Sequence, residues 1–229
     1  MRFWALCALA FGLLTLVWLI LFGLLPQVRA AYPHGEFGGA ENAFQQAAMM
    51  GDLNAVFGAP PDQVRIAAMA QANTADLYGF VPSYALFLLC GAAMLAGGAR
   101  KALAWLAIAP LIVGVVADVL ETQTQLRITG DYAHAASLLP VRPYAWMKWF
   151  GLALSALGAS AICLLGAPKR PILGVLGILP LAATLASYLQ LVHLPSLLTL
   201  GFALFWLPLL VLAVPVWLNR ASLAPGVGP

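Results

Sequence analysis

Polar residues are sparse along this chain and fall in a few defined places. Between them lie six apolar runs: Phe3–Leu25, Gly79–Gly98, Ala102–Leu120, Trp149–Ala167, Ile172–Leu191 and Ser196–Leu218. Each is long enough, at about 1.5 Å per residue, to cross a hydrocarbon layer of roughly 30 Å as a helix. A helix is the expected form because lipid offers no partner for unpaired backbone groups. No run alternates apolar and polar positions as a membrane strand does. The pattern predicts an all-α polytopic membrane protein, a single membrane domain over residues 1–229 with six transmembrane helices.

The connections divide into two kinds. Arg2, Arg100, Lys101, Lys169, Arg170 and Arg220 mark one side, which has no Asp or Glu. The other side holds the loop 26–78, the connection Glu121–Lys148 and the turn Val192–Pro195. By the positive-inside rule the basic side is cytoplasmic, with both termini there. The expected location is the bacterial inner membrane, with 219–229 as a cytoplasmic tail. A rival reading cleaves the first run as a signal peptide after Val28-Arg29-Ala30. Its apolar stretch is longer than the roughly 7–15 residues of a signal core.

The outer loop 26–78 contains helix-forming sequence. Glu41–Met50 places Phe44, Ala47 and Ala48 on one side. Pro60-Pro61-Asp62 is a good helix start, since Pro fits a first turn and Asp complements the dipole. The helix it opens is expected to run through Val64, Ala67, Ala68 and Ala75. Two short helices on the outer surface are predicted.

Composition sharpens this picture. Of 229 residues 63% are hydrophobic and 8% charged, with mean hydropathy +0.93. Too few charges remain to cover a water-facing surface. A soluble enzyme, a nucleic-acid binder and a disordered chain are excluded. The net charge of +3 reads as an orientation signal. Cys7, Cys90 and Cys163 each lie inside an apolar run and read as packing residues. No internal repeat supports an inverted-repeat transporter.

The third run ends in a polar stripe. Gly114, Asp118, Glu121 and Gln125 are spaced by three and four, so one helix face carries them all. Val115, Val116, Val119 and Leu120 form the opposite face. Carboxylates at membrane depth normally face the bundle interior and pair with something. Lys148 opens the fourth run and returns from the same side. It heads the face Gly151, Ser155 and Ala159, a series of small residues that favours close helix contact. The expected pairing is Lys148 with Asp118, Glu121 or both. Asp76, Tyr84, Tyr188 and His193 fall at the same outward level and are candidate binding residues.

The segments Asp76-Leu-Tyr-Gly-Phe-Val-Pro-Ser-Tyr84, Asp118-Val-Leu-Glu121 and Lys148-Trp149 resemble a pattern in uncharacterised bacterial multi-pass inner-membrane proteins with an intramembrane D-x-x-E motif. The resemblance spans about Asp76 to Gly166, with Thr122 where Asn is expected. It implies a helical membrane bundle and brings no assigned activity.

Function stays open among several readings. Asp118 and Glu121 are candidate catalytic carboxylates, an acid and base pair acting on a lipid-like substrate in an outward-facing pocket. Lys148, Asp76, Tyr84, Tyr188 and His193 are its candidate binding residues. A proton-coupled small-molecule transporter is the alternative, as is a partner or assembly subunit with a structural ion network. Membrane lipids are the expected partners and nucleic acid is not. No cofactor is expected. His-Glu-x-x-His and Gly-x-Ser-x-Gly are absent, and His34, His134 and His193 have no metal-ligand spacing.

Overall fold

The computed structural model describes residues 1–24, 39–97, 101–166, 168–189 and 195–218. His34, His193, Arg220 and the tail 219–229 lie outside the described residues. The protein is an all-α polytopic membrane protein, with six helices long and apolar enough to cross a membrane.

The first is α1, Arg2–Leu24. Three helices follow: α2, Ala40–Gln45; α3, Met50–Phe57; and α4, Gln63–Ala75. From Asp62 onward the chain differs from the predicted separation of loop and span. Asp62 caps α4 by accepting from the amides of Val64 and Arg65. The helix then runs without a break through a π-helical turn, Asp76–Phe80, into α5, Val81–Ala96. Helix α6 covers Lys101–Gly130, ten residues past the expected end of the third run. Its 30 residues make it about 45 Å long, more than a hydrocarbon layer needs. A 3-10 segment, Tyr132–Leu138, leads to α7, Arg142–Leu165.

The fifth run is divided into α8, Pro171–Leu176, and α9, Leu179–Tyr188. Pro180 has no amide hydrogen to continue the helical ladder. Gly177 also sits so close to α7 that an added Cβ would lie 2.9 Å from the Ala156 carbonyl oxygen. Helix α10, Pro195–Leu218, ends the described chain.

Helices α6 and α7 form the most extensive contact in the bundle. The small residues predicted on α7 are the reason. A Cβ on Gly114 would stand 2.9 Å from the backbone nitrogen of Leu152, and one on Gly151 would stand 2.5 Å from the Gly114 Cα. The backbones therefore touch, as small residues allow in lipid. Helix α1 packs on α5 and α10, and α9 on α7 and α10.

Two cores result. The membrane core includes Phe87, Met94, Leu111, Leu152, Phe205 and Leu209. The second lies beyond one end of the bundle and unites Phe44, Leu53, Phe57, Met69, Ile128 and Val141. The loop 39–75 is thus a folded cap, not only helices lying on a surface. The predicted helix Glu41–Met50 is broken, because the Asp52 carboxylate takes the amides of Ala48 (2.7 Å) and Met49 (3.1 Å) and starts α3 there. The Ala47 carbonyl accepts from the Val141 amide at 2.9 Å, which ties the cap to the start of α7.

Candidate functional site

The polar stripe lies just beneath the cap. Gly114, Asp118, Glu121 and Gln125 are all buried, while Val116 and Leu120 on the other face are exposed. The helix continues past Leu120, which keeps the four residues in one line. Lys148 enters from α7. Its Nζ stands 3.1 Å from Asp118 Oδ1, 2.9 Å from Glu121 Oε2 and 3.1 Å from Glu121 Oε1. The first two oxygens take no well-directed hydrogen bond, so the ammonium holds them mainly by charge.

Tyr84 comes from α5. Its hydroxyl donates to Asp118 Oδ2 at 2.5 Å, and its ring stacks on Trp206 of α10 at 5.7 Å between centroids. Asp118 is therefore held from two helices. Asp76 begins the π-helical turn, where the Val81 amide donates to the carbonyl five residues back. Its Oδ2 accepts from the Thr122 hydroxyl at 3.0 Å. Such single π turns inside longer helices recur at functional sites.

Sequence reasoning missed Glu41. It stands on α2, and the charges of Lys148 and Asp118 act on it. Burial, the largest cause, raises its pKa above the ordinary value; Lys148 lowers it and Asp118 raises it. Spacing on one helix could not have revealed this, because the cap brings it in from a distant segment.

Asp118 and Glu121 thus share the ammonium of Lys148, and Asp76 joins the same stretch of α6 through Thr122. Arg142 does not join, since its Nε donates to the Gln46 carbonyl at 3.0 Å. Arg127 lines an exposed cleft with Asp131 and His134. Tyr188 is 52% exposed and packs edge-on against Trp146 and Phe150, outside the network of contacts just described. His193 is outside the described residues. Two amides near the cluster lack partners among the described residues. Asn73, 5% exposed, precedes Asp76 by three positions, and Gln125, 3% exposed, follows Glu121 by four. Neither Asn73 Nδ2 nor Gln125 Nε2 has a hydrogen-bond partner among the described residues.

Comparison with known protein families, curated proteins and solved structures gives no match. The chemistry of the site therefore rests on its own geometry.

Among the described residues no group of three or more His, Cys, Asp and Glu side chains is placed to hold a metal ion. The described residues form at least two open clefts. One, about 510 Å³, lies between α1 and the π-helical turn and includes Trp18, Thr74, Tyr78 and Gly79. The other, about 370 Å³, includes Arg127, Asp131, His134 and Ser137. The cluster itself offers buried carboxylate oxygens and two amide donors with no partner among the described residues.

Proposed function

We propose that this protein binds or modifies a lipid-like molecule at the capped end of the bundle, with the polar head directed to Asp76, Asp118 and Glu121. The observation that carries this is the imbalance of the cluster: Asp118 and Glu121 share the ammonium of Lys148, Asp76 adds a third carboxylate held by the Thr122 hydroxyl, and two buried amides have no partner among the described residues. Unpaired buried charge and unpaired buried donors are costly unless something else satisfies them. A head group rich in both donors and acceptors does so. Within this reading the capped end faces outward in a bacterial inner membrane, with Arg2, Lys169 and Arg170 on the cytoplasmic side.

The experiment is native mass spectrometry of the full chain released gently from its membrane. The expected result is a retained lipid adduct that is reduced in Asp76→Asn and Glu121→Gln. A wild-type protein without any adduct overturns the reading.

One observation favours a second reading, a closed structural network that fixes α6 against α7. Neither cleft is lined by Asp118, Glu121 or Lys148. In that case the Asp118→Leu, Lys148→Met pair restores the stability that each single change removes.

A further inference from the structure

The smaller cleft is built on a helix with three residues per turn. In such a 3-10 helix every third side chain falls in one row. The segment Tyr132–Leu138 therefore carries an apolar row, Tyr132, Ala135 and Leu138, which packs into the cap core. The Tyr132 ring meets Phe57 edge-on, 5.7 Å between centroids. A second row starts at the preceding residue and holds Asp131, His134 and Ser137. Anchoring the first row turns the second outward, and all three of its residues are exposed. They line the cleft of about 370 Å³ together with Arg127 and Gly130 from the end of α6.

The side chains in this cleft differ in what they leave free. Asp131 Oδ2 holds His134 Nδ1 at 2.8 Å, which fixes the ring and leaves Nε2 with no partner among the described residues. Ser137 Oγ donates to the His134 carbonyl at 2.8 Å, so its lone pairs remain to accept. Arg127 belongs to none of the ion pairs among the described residues, and its guanidinium makes no hydrogen bond there. The Asp131 charge is thus engaged by His134, and the charge left without a partner is the guanidinium.

That arrangement selects an oxyanion. A metal ion does not fit, since among the described residues no three ligating side chains are grouped to hold one. A guanidinium offers a planar fork of donors that matches the oxygens of phosphate. His134 Nε2 accepts from a protonated phosphate oxygen, or donates to an ionised one when the ring is charged and Asp131 is its counter-ion. Room for the group lies at Gly130, where an added Cβ would meet no atom within 4 Å. Depth points the same way. The apolar part of α6 begins at Ala102, so Arg127 stands about 37 Å along the helix from that edge. A hydrocarbon layer takes roughly 30 Å of this, and the head groups extend a bilayer to about 40–45 Å. Arg127 falls at the level of the head groups, where phosphate is concentrated.

We infer that the cleft between the end of α6 and the 3-10 segment binds a phosphate group, with Arg127 as its charge partner, His134 Nε2 on a second oxygen and Asp131 orienting His134. A lipid head and a soluble phosphate share this chemistry. The inference does not rest on the reading of the carboxylate cluster, and it stands or falls separately.

The test follows the thermal midpoint of the full chain in a phosphate-free, uncharged detergent. One arm adds sodium phosphate against sodium chloride at equal ionic strength. The other adds dioctanoyl phosphatidic acid against dioctanoylglycerol, which lacks the phosphate. A ligand that binds only the folded state raises the midpoint with concentration. Arg127→Gln removes the unpaired charge from an exposed position, and Gly130→Leu fills the cleft where space is free. Midpoints without ligand check that each variant folds.

The expected result is a rise beyond the control with both phosphate probes. The apparent affinity is expected to be about tenfold weaker in Arg127→Gln, the scale of one charge-assisted contact, and at least as weak in Gly130→Leu. A stronger response to phosphatidic acid assigns the phosphate to a lipid head, and a stronger response to inorganic phosphate assigns it to a soluble source. No rise with either probe overturns the inference. A rise that either folded variant leaves unchanged places the binding elsewhere and overturns it as well.

Discussion

The ammonium of Lys148 stands 2.9 Å from Glu121 Oε2, with both side chains almost wholly enclosed. Neither charge is screened by water, so each depends on the other. Lys148→Met leaves Glu121 and Asp118 buried with no counter-ion. The expected loss is about 3–5 kcal/mol, read as a lower thermal midpoint in detergent. Glu121→Gln is expected to be far milder, because Asp118 still pairs with the ammonium and the amide oxygen still accepts from it.

Tyr84 supplies the hydroxyl that donates to Asp118 at 2.5 Å. Tyr84→Phe retains the ring stacked on Trp206 but removes that donor. A carboxylate oxygen then loses a partner in a closed site, and a loss of about 1–3 kcal/mol is expected. Thermal unfolding of this variant beside Trp206→Leu separates the hydroxyl from the stacking.

Gly151 meets Gly114 backbone to backbone. Gly151→Ala inserts a methyl group where neither backbone can yield locally, so α6 and α7 must move apart. Overpacking typically costs about 1–3 kcal/mol, and a rigid backbone neighbour places this change at the upper end. The separation is also expected to lengthen the Lys148 contacts. An engineered cysteine pair across the two helices would report it through slower cross-linking.

Glu41 gives the cap a pH dependence. Its folded-state pKa is raised from the ordinary 4.5, so folding disfavours its ionised form. At pH below the ordinary value the group is protonated in both states and carries no penalty. As pH rises from there through the raised value, the penalty develops and cap stability falls. Glu41→Gln is expected to remove that component. Hydrogen exchange of Ala40–Phe57 across this window, in both proteins, measures it.

What the sequence disclosed follows from local spacing. The stripe Gly114, Asp118, Glu121 and Gln125 was legible because one helix carries all four. Lys148 was legible because it heads a face of small residues on the next helix. Glu41 was not, since its approach depends on a cap built from three separate helices, the 3-10 segment and the ends of α6 and α7. The break before α3 was hidden for a related reason: Asp52 ends one helix and starts another through backbone amides that hydropathy does not register. The π-helical turn at Asp76 likewise leaves no signature in composition.

The separation of the acids from Lys148 in the sequence bears on how the chain enters a bilayer. Asp118 and Glu121 leave the ribosome before their counter-ion, which follows 27 residues after Glu121. Alone at the middle of a membrane, an Asp disfavours insertion by about 2.5–3.5 kcal/mol, and less near an interface. Waiting for Lys148 avoids that barrier. Inserted as one hairpin, α6 and α7 would bring the acids to their counter-ion as the glycine contact closes.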